Sequence, residues 1–84
     1  MTTALVNVGF DNAVAAGRII AVVSAEPSPI KRLREAADRR QKLDDATNGR
    51  RTRTVIVTDS DHVVLSSLQP ETIVQRLTAL PGAG

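Results

Sequence analysis

The sequence contains no cysteine, tryptophan or tyrosine, and it has one histidine and one aromatic residue, Phe10. A chain without cysteine forms neither disulfides nor thiolate metal sites, and a lone His62 cannot build a zinc centre, so we expect no metal and no cofactor. The longest apolar run, residues 19–23, is far shorter than the roughly 20 residues of a membrane span, and the first residues lack the basic segment of a signal peptide. These absences predict a cytoplasmic protein with no membrane partner.

The length of 84 residues predicts one domain over residues 1–84, with a frayed end over the last few residues. Its core must consist mainly of Val, Ile and Leu, because large aromatic side chains are missing. A domain of this size buries a smaller fraction of its surface than a large one does, and its stability is marginal unless something reinforces it. Association with further copies would bury more apolar area, at about 25 cal/mol per Å², so we expect a homo-oligomer.

The charged residues are unevenly distributed, although the net charge is only +2. Residues 18–53 contain ten of the eleven basic residues and five of the nine acids, which gives this segment a net charge of +5 against −3 for the remainder. A molecule polarised in this way can present a positive face to a polyanion. The distribution is typical of nucleic-acid-binding proteins.

The apolar pattern predicts a small β-rich α+β domain with a β-hairpin and two helices. Ser28 and Pro29 have the residue types expected for a helix cap and the first helical position, and Pro70 opens the second helix. One strand, residues 18–24, is apolar on both faces, which suggests either a central strand or one covered by a partner subunit. The predicted elements are strands over residues 4–8, 18–24, 51–58 and 62–67, and helices over residues 28–43 and from residue 70 onward, with Ile73, Val74, Leu77 and Leu80 on the apolar face of the second helix.

Three arginines follow an Asn-Gly pair in the segment Asn48-Gly49-Arg50-Arg51-Thr52-Arg53. Asn-Gly tolerates the positive φ angles of a two-residue hairpin turn, so we expect a rigid platform for the arginines. No acid lies within the segment, and alternation along a strand would send Arg51 and Arg53 to one face and Arg50 to the other. Guanidinium groups suit phosphate contact, although charge that protects an edge strand from aggregation would produce a similar pattern.

The basic first helix has a simpler interpretation than DNA recognition. Glu35 precedes Arg39 by four residues and Asp38 precedes Lys42 by four, the favourable order for helix ion pairs, so the charge is typical of a solvated face. Arg18 lies beside the most apolar strand. It is either the polar rim of a buried strand or part of the basic surface, and composition does not separate the two.

His62 follows Asp59-Ser60-Asp61, but Ser60 and His62 are too close along the chain to form a catalytic triad. The glycines match neither the dinucleotide nor the P-loop spacing. We therefore expect no catalytic residue and no enzyme activity, and we interpret His62 as a structural residue of a turn.

Taken together, these segments resemble the RemA-like family of bacterial matrix regulators. The resemblance covers almost the whole chain. It is carried by the motifs Asn7-Val8-Gly9-Phe10, Glu26-Pro27-Ser28-Pro29-Ile30-Lys31-Arg32, Asp45-Ala46-Thr47-Asn48-Gly49-Arg50-Arg51-Thr52-Arg53, Asp59-Ser60-Asp61-His62 and Gln69-Pro70-Glu71-Thr72.

The resemblance implies a cytoplasmic, nucleoid-associated transcription regulator that forms a closed ring of seven or eight subunits. It also implies that Arg18, Arg50 and Arg51 contact double-stranded DNA, and that matrix and osmoprotection genes are activated. The residues themselves add Arg53 to this surface. Two other functions stay open at this point: a structural ring with acidic protein partners, and an RNA-binding module, for which a single aromatic residue offers little stacking.

Overall fold

The computed structural model describes residues 4–26 and 28–80, apart from the side chains of Ser28 and Pro29. The predicted cap at Ser28, the role of Pro29 and the frayed end therefore lie outside the described residues. The elements are β1 (Leu5–Gly9), β2 (Asn12–Ala15), β3 (Ile19–Ser24), α1 (Ser28–Arg39), β4 (Leu43–Asp45), β5 (Thr54–Thr58), β6 (Val63–Ser66) and α2 (Pro70–Thr78), with a single 3-10 turn at Ala16–Arg18.

The strands form a two-stranded antiparallel sheet and a four-stranded mixed sheet, which confirms a small α+β domain with two helices. Strands β1 and β2 pair with each other, and the larger sheet has the order β3-β5-β6-β4. Strand β5 is antiparallel to both β3 and β6, whereas β4 runs parallel to β6. The predicted hairpin over the turn at residues 59–61 is β5–β6.

The larger sheet has a hydrophobic cluster on each face, because successive strand residues point to opposite sides. Helix α1 packs on one face, where the buried residues are Ala37, Val55, Val63 and Leu65. The β1–β2 hairpin and α2 cover the other face, where the buried residues are Val6, Val8, Ala46, Ile56, Val64 and Ile73. The result is a three-layer domain in which β5 and β6 are shielded on both sides.

Strand β3 lies at an edge of the larger sheet, which excludes the first of the two predicted alternatives, a central strand. Its two apolar faces arise because both sides of the sheet are covered: Val22 packs into one cluster and Val23 into the other. Ile20 is 66% exposed. No strand in the described part of the chain pairs with the outer edge of β3.

Helix α1 ends at Arg39 rather than at residue 43. Gln41 has φ +58°, and the N–H groups of Gln41 and Lys42 donate to the carbonyls of Asp38 and Ala37, at 3.0 and 2.8 Å. This is a Schellman motif, which usually has glycine or asparagine at the left-handed position. Because glutamine occupies that position here, the sequence carried no stop signal, and Leu43 begins β4 instead.

Helix α2 begins at Pro70 as predicted, but its apolar face is narrower than expected. Ile73 is fully buried and Leu77 and Leu80 pack against the same cluster, whereas Val74 is 46% exposed. The Arg76 guanidinium Nη1 also donates to the Asn7 carbonyl at 2.8 Å, which links α2 to β1. Neither helix in the residues described is long and apolar enough to cross a membrane.

The contrast between Ile73 and Val74 predicts a contrast in stability. Ile73→Ala leaves a cavity in a closed cluster and should lower the free energy of unfolding by about 2–5 kcal/mol. Val74→Ala, the matched control one residue along the helix, should lower it by less than about 1 kcal/mol. Urea denaturation followed by circular dichroism measures both. Equal losses would contradict the assignment of the buried face.

Candidate nucleic-acid interface

The arginine-bearing turn has the backbone geometry that its sequence predicts. Asn48 and Gly49 have φ angles of +53° and +81°, and the Arg50 N–H donates to the Thr47 carbonyl at 3.0 Å. Two positive φ angles at the central positions are what a type I′ turn requires. The turn does not join two paired strands, because the flanking strands β4 and β5 are separated by β6 in the sheet.

The turn is anchored to the domain from both sides. The Ala46 N–H donates to the Leu65 carbonyl at 2.9 Å, and the Arg53 N–H donates to the Ser66 carbonyl at 2.9 Å. Thr47 is 2% exposed. Since both ends of residues 46–53 are fixed to β6, the exposed arginines extend from a segment whose backbone is held in place.

A carboxylate completes the anchor. Asp45 accepts hydrogen bonds from the hydroxyl Oγ1 and from the backbone N–H of Thr47, the latter at 2.8 Å. These two bonds, first the hydroxyl and then the backbone one, lower the pKa of Asp45 below its ordinary value of 3.8, with a further small contribution from Arg34. Burial opposes this shift weakly, because the Asp45 side chain is largely exposed.

The three arginines share one surface. Together with Ser67, their side chains line an open depression of about 480 Å³. Strand β5 begins at Thr54 rather than at residue 51, so the strand alternation predicted for the arginines does not apply to residues 50–53. We name this surface the arginine platform and define it as Arg50, Arg51 and Arg53.

Little negative charge compensates the arginine platform. Arg51 Nη2 lies 3.6 Å from Glu26 Oε1, and both side chains are more than 70% exposed, so the pair is weak. Sequence inspection missed Glu26, because it comes from the segment after β3, distant along the chain. Within residues 4–26 and 28–80, no ion pair involves Arg50 or Arg53.

Phe10 lies beside the arginine platform, which sequence inspection also missed. The Arg50 guanidinium carbon is 5.5 Å from the centroid of the Phe10 ring, within the range of a cation–π contact. Phe10 occupies the tip of the β1–β2 hairpin. The sequence offered one signal, a single aromatic residue beside the glycine that follows the first predicted strand.

Arg18 is not part of the arginine platform within one protomer. Its carbonyl accepts the Asp59 N–H at 2.9 Å, and its Nε lies 2.9 Å from Asp59 Oδ1. Asp59 follows β5 whereas Arg53 precedes it. The six residue steps from Arg53 to Asp59 therefore separate Arg18 from the platform by about 20 Å at 3.4 Å per residue.

His62 lies at the Arg18 end of the sheet and pairs with a residue that the sequence did not indicate. Its Nδ1 is 3.0 Å from Asp44 Oδ2, whereas Ser60 Oγ contacts Thr58 Oγ1 at 3.1 Å. His62 therefore connects the β5–β6 turn to β4, and Ser60 is not hydrogen-bonded to it.

The Asp45–Thr47 contact predicts an acid-sensitive anchor. A carboxyl with a lowered pKa in the folded state adds stability that is present above the unfolded-state pKa and is lost as the pH falls below 3.8 through the folded-state value. Asp45→Asn should cost about 1 kcal/mol at neutral pH, and its stability should vary less over this acid range. Urea denaturation from pH 5 downward provides the comparison.

Asp61→Asn is the matched control for that experiment. Asp61 is exposed, and its side chain makes no hydrogen bond within the described part of the chain. Its variant should follow the parent at every pH. A parallel response of the Asp45 and Asp61 variants would show that the Thr47 contact does not stabilise the fold.

Comparison with known proteins places these features in a family. The RemA-like family, described as extracellular matrix regulatory protein A-like, matches residues 5–77. A Synechococcus protein (strain JA-2-3B'a(2-13)) is 60% identical over 83 residues, which cover 98% of this chain and 93% of the relative.

Two further relatives come from other bacteria. A Shouchella clausii protein is 62% identical over 77 residues, 92% of this chain and 88% of its own. A Symbiobacterium thermophilum protein is 63% identical over 75 residues, 89% of this chain and 79% of its own. The names of all three describe a regulatory protein and mention no ligand. With the match extending from β1 into α2, the chain belongs to the RemA-like family of regulatory proteins.

Proposed function

We propose that this chain is a homo-oligomeric, non-enzymatic transcription regulator that binds double-stranded DNA through the arginine platform. The observation that carries the proposal is the gathering of three guanidinium groups around one open depression on an anchored loop. Guanidinium groups stay charged at any working pH and form bidentate contacts with phosphate. Each phosphate neutralised also releases condensed counterions, which supplies the affinity.

Arg18 extends the proposed contact along the protomer. Its separation from the platform, about 20 Å, equals the rise of roughly six nucleotides of one DNA strand. A duplex on the protein surface with its axis parallel to β5 would therefore present phosphates to Arg18 and to the arginine platform. We place Arg18 in the DNA surface together with Arg50, Arg51 and Arg53, with Asp59 holding its guanidinium in position.

Assembly into a closed ring of seven or eight protomers is the second part of the proposal. The outer edge of β3, unpaired among the described strands, and the exposed apolar side chains of Leu5, Ile20 and Val74 support it. A ring repeats the arginine platform and so raises the effective concentration of arginines along a duplex. Because the family is described by regulation of the extracellular matrix, we propose matrix genes as the targets. The protein would act at the bacterial nucleoid in the cytoplasm.

The double variant Arg50→Ala, Arg51→Ala tests the DNA surface. It should abolish binding in fluorescence anisotropy with a labelled duplex while the assembly stays intact, because these side chains are exposed and fill no core. The parent should lose affinity steeply with added salt, with a log–log slope of about −0.9 per phosphate contacted. Scrambled duplexes should compete appreciably, since backbone contacts carry no sequence information.

Arg39→Ala, Arg40→Ala is the matched control, because it removes another adjacent and exposed arginine pair that lies at the end of α1, outside the platform. It should retain most of the affinity. If the platform variant bound as tightly as the parent, or if affinity did not change with salt, a structural ring with acidic protein partners would become the better proposal. Tighter binding to single-stranded RNA would favour an RNA-binding module.

Ile20→Asp tests the assembly. Because Ile20 is mostly exposed in the protomer, the variant should stay folded but dissociate, as measured by circular dichroism and light scattering. Val22→Asp should instead unfold the domain, since Val22 packs against the buried cluster and an unpaired buried carboxylate costs several kcal/mol. An Ile20 variant with the parent's mass would place the contact elsewhere.

A further inference from the structure

Phe10 has a backbone conformation that a bulky side chain seldom adopts. Its φ is +52° and that of Asp11 is +64°, so both residues at the hairpin tip lie in the left-handed region. Such a conformation is uncommon for an aromatic residue and carries strain. Residues of that kind concentrate at functional sites, where the surrounding structure holds them.

The surrounding structure holds this tip with side-chain amide groups. Asn12 Nδ2 donates to the carbonyls of Gly9 and Phe10, at 3.0 and 3.2 Å, and Asn7 Oδ1 accepts the Gly9 N–H at 2.8 Å. The β1–β2 hairpin is thus fixed from both sides of the turn. The position of the Phe10 ring is defined by this framework rather than by burial.

The ring is also unusually exposed for the chain's only aromatic residue. Phe10 is 44% exposed and belongs to neither hydrophobic cluster. Burying an aromatic ring normally contributes strongly to a core, and a core that lacks large side chains would gain from it. Neither the backbone preference of phenylalanine nor core packing explains its placement here.

What the ring does contact is Arg50, at 5.5 Å from the guanidinium carbon to the ring centroid. Two tight turns are therefore adjacent, one carrying a basic group and the other an apolar ring. Proteins that bend DNA combine the same two elements, cations for the phosphates and an apolar side chain placed against sugars or between base steps.

We propose that Phe10 is a DNA-contact residue in its own right, which places its ring against deoxyribose or a base step of the duplex that Arg50 holds by the phosphate. This inference rests on the proposed function. It adds an apolar contact from the Phe10 ring to the charged contacts of the arginine platform. A ring contact adds affinity without neutralising a phosphate, so its contribution is independent of salt.

The salt dependence of duplex binding separates this role from others. Phe10→Gly and Phe10→Asn remove the ring while suiting the positive φ, so the hairpin should persist. Both should weaken binding about tenfold at every salt concentration with the slope of the parent. Arg50→Ala should instead reduce the magnitude of the slope by about 0.9. Phe10→Leu should retain part of the affinity, because it keeps an apolar side chain.

A fluorescent substitution gives a second, direct measurement. The chain contains no tryptophan, so Phe10→Trp creates a single fluorophore at the hairpin tip. Its emission should change saturably as duplex is added, in proportion to the binding measured by anisotropy. Unchanged emission in a variant that binds DNA would overturn the proposal.

Three other results would also overturn it. Parent-like affinity of Phe10→Gly would show that the ring contributes nothing, and a slope reduced as in Arg50→Ala would show that it only positions Arg50. A changed oligomeric mass would assign the ring to the subunit contact. If the parent itself bound no duplex, the proposed function would fail together with this inference, whereas the first three results leave the proposed function in place.

Discussion

The crossing of residues 46–53 over the end of β6 determines where the arginines lie. Strand β4 is parallel to β6 and finishes beside Leu65, and β5 is antiparallel to β6 and starts beside Ser66. The connection between β4 and β5 must therefore pass over the carboxyl end of β6. Hydrogen bonds at both ends of the segment fix its path. The arginine platform is a consequence of this topology, and the side chains need no burial of their own to be held there.

The arginine platform carries positive charge that the protomer compensates only weakly. Three guanidinium groups around one depression repel one another, and the exposed, distant contact with Glu26 relieves that repulsion only slightly. A phosphate in the depression would relieve it more. The anchored backbone holds these like charges together despite their repulsion. Its stability comes from buried residues such as Ala46 and Thr47. The stability of this segment and its positive charge are thus supplied by different residues.

Much of this arrangement could be predicted from the sequence where a local signal exists. The positive φ angles at Asn48-Gly49, the β5–β6 hairpin and the start of α2 at Pro70 each follow from residues with strong backbone preferences. Contacts between distant segments had no such signal. The pairing of Arg51 with Glu26, of His62 with Asp44 and of Arg50 with Phe10 depends on the sheet order, which no single segment encodes.

The errors in the predicted elements share a physical cause. Strands β2 and β4 were not predicted, because four and three residues are too few for a periodic pattern. Pairing with neighbouring strands decides their conformation. The apolar faces of β3 indicated burial on both sides but not its place at the sheet edge. The end of α1 was also missed, because glutamine seldom adopts the left-handed conformation that Gln41 has. The hydrogen bonds from the Gln41 N–H to Asp38 and from the Lys42 N–H to Ala37 outweigh this poor preference.

The most direct measurement is the mass of the protein in solution with and without duplex. Size-exclusion chromatography with light scattering should give a multiple of 8.9 kDa for the protein alone and a single heavier species when a promoter-length duplex is added at low salt. A monodisperse 8.9 kDa species would contradict the assembly. An assembly that elutes unchanged beside free duplex would contradict DNA binding by the arginine platform.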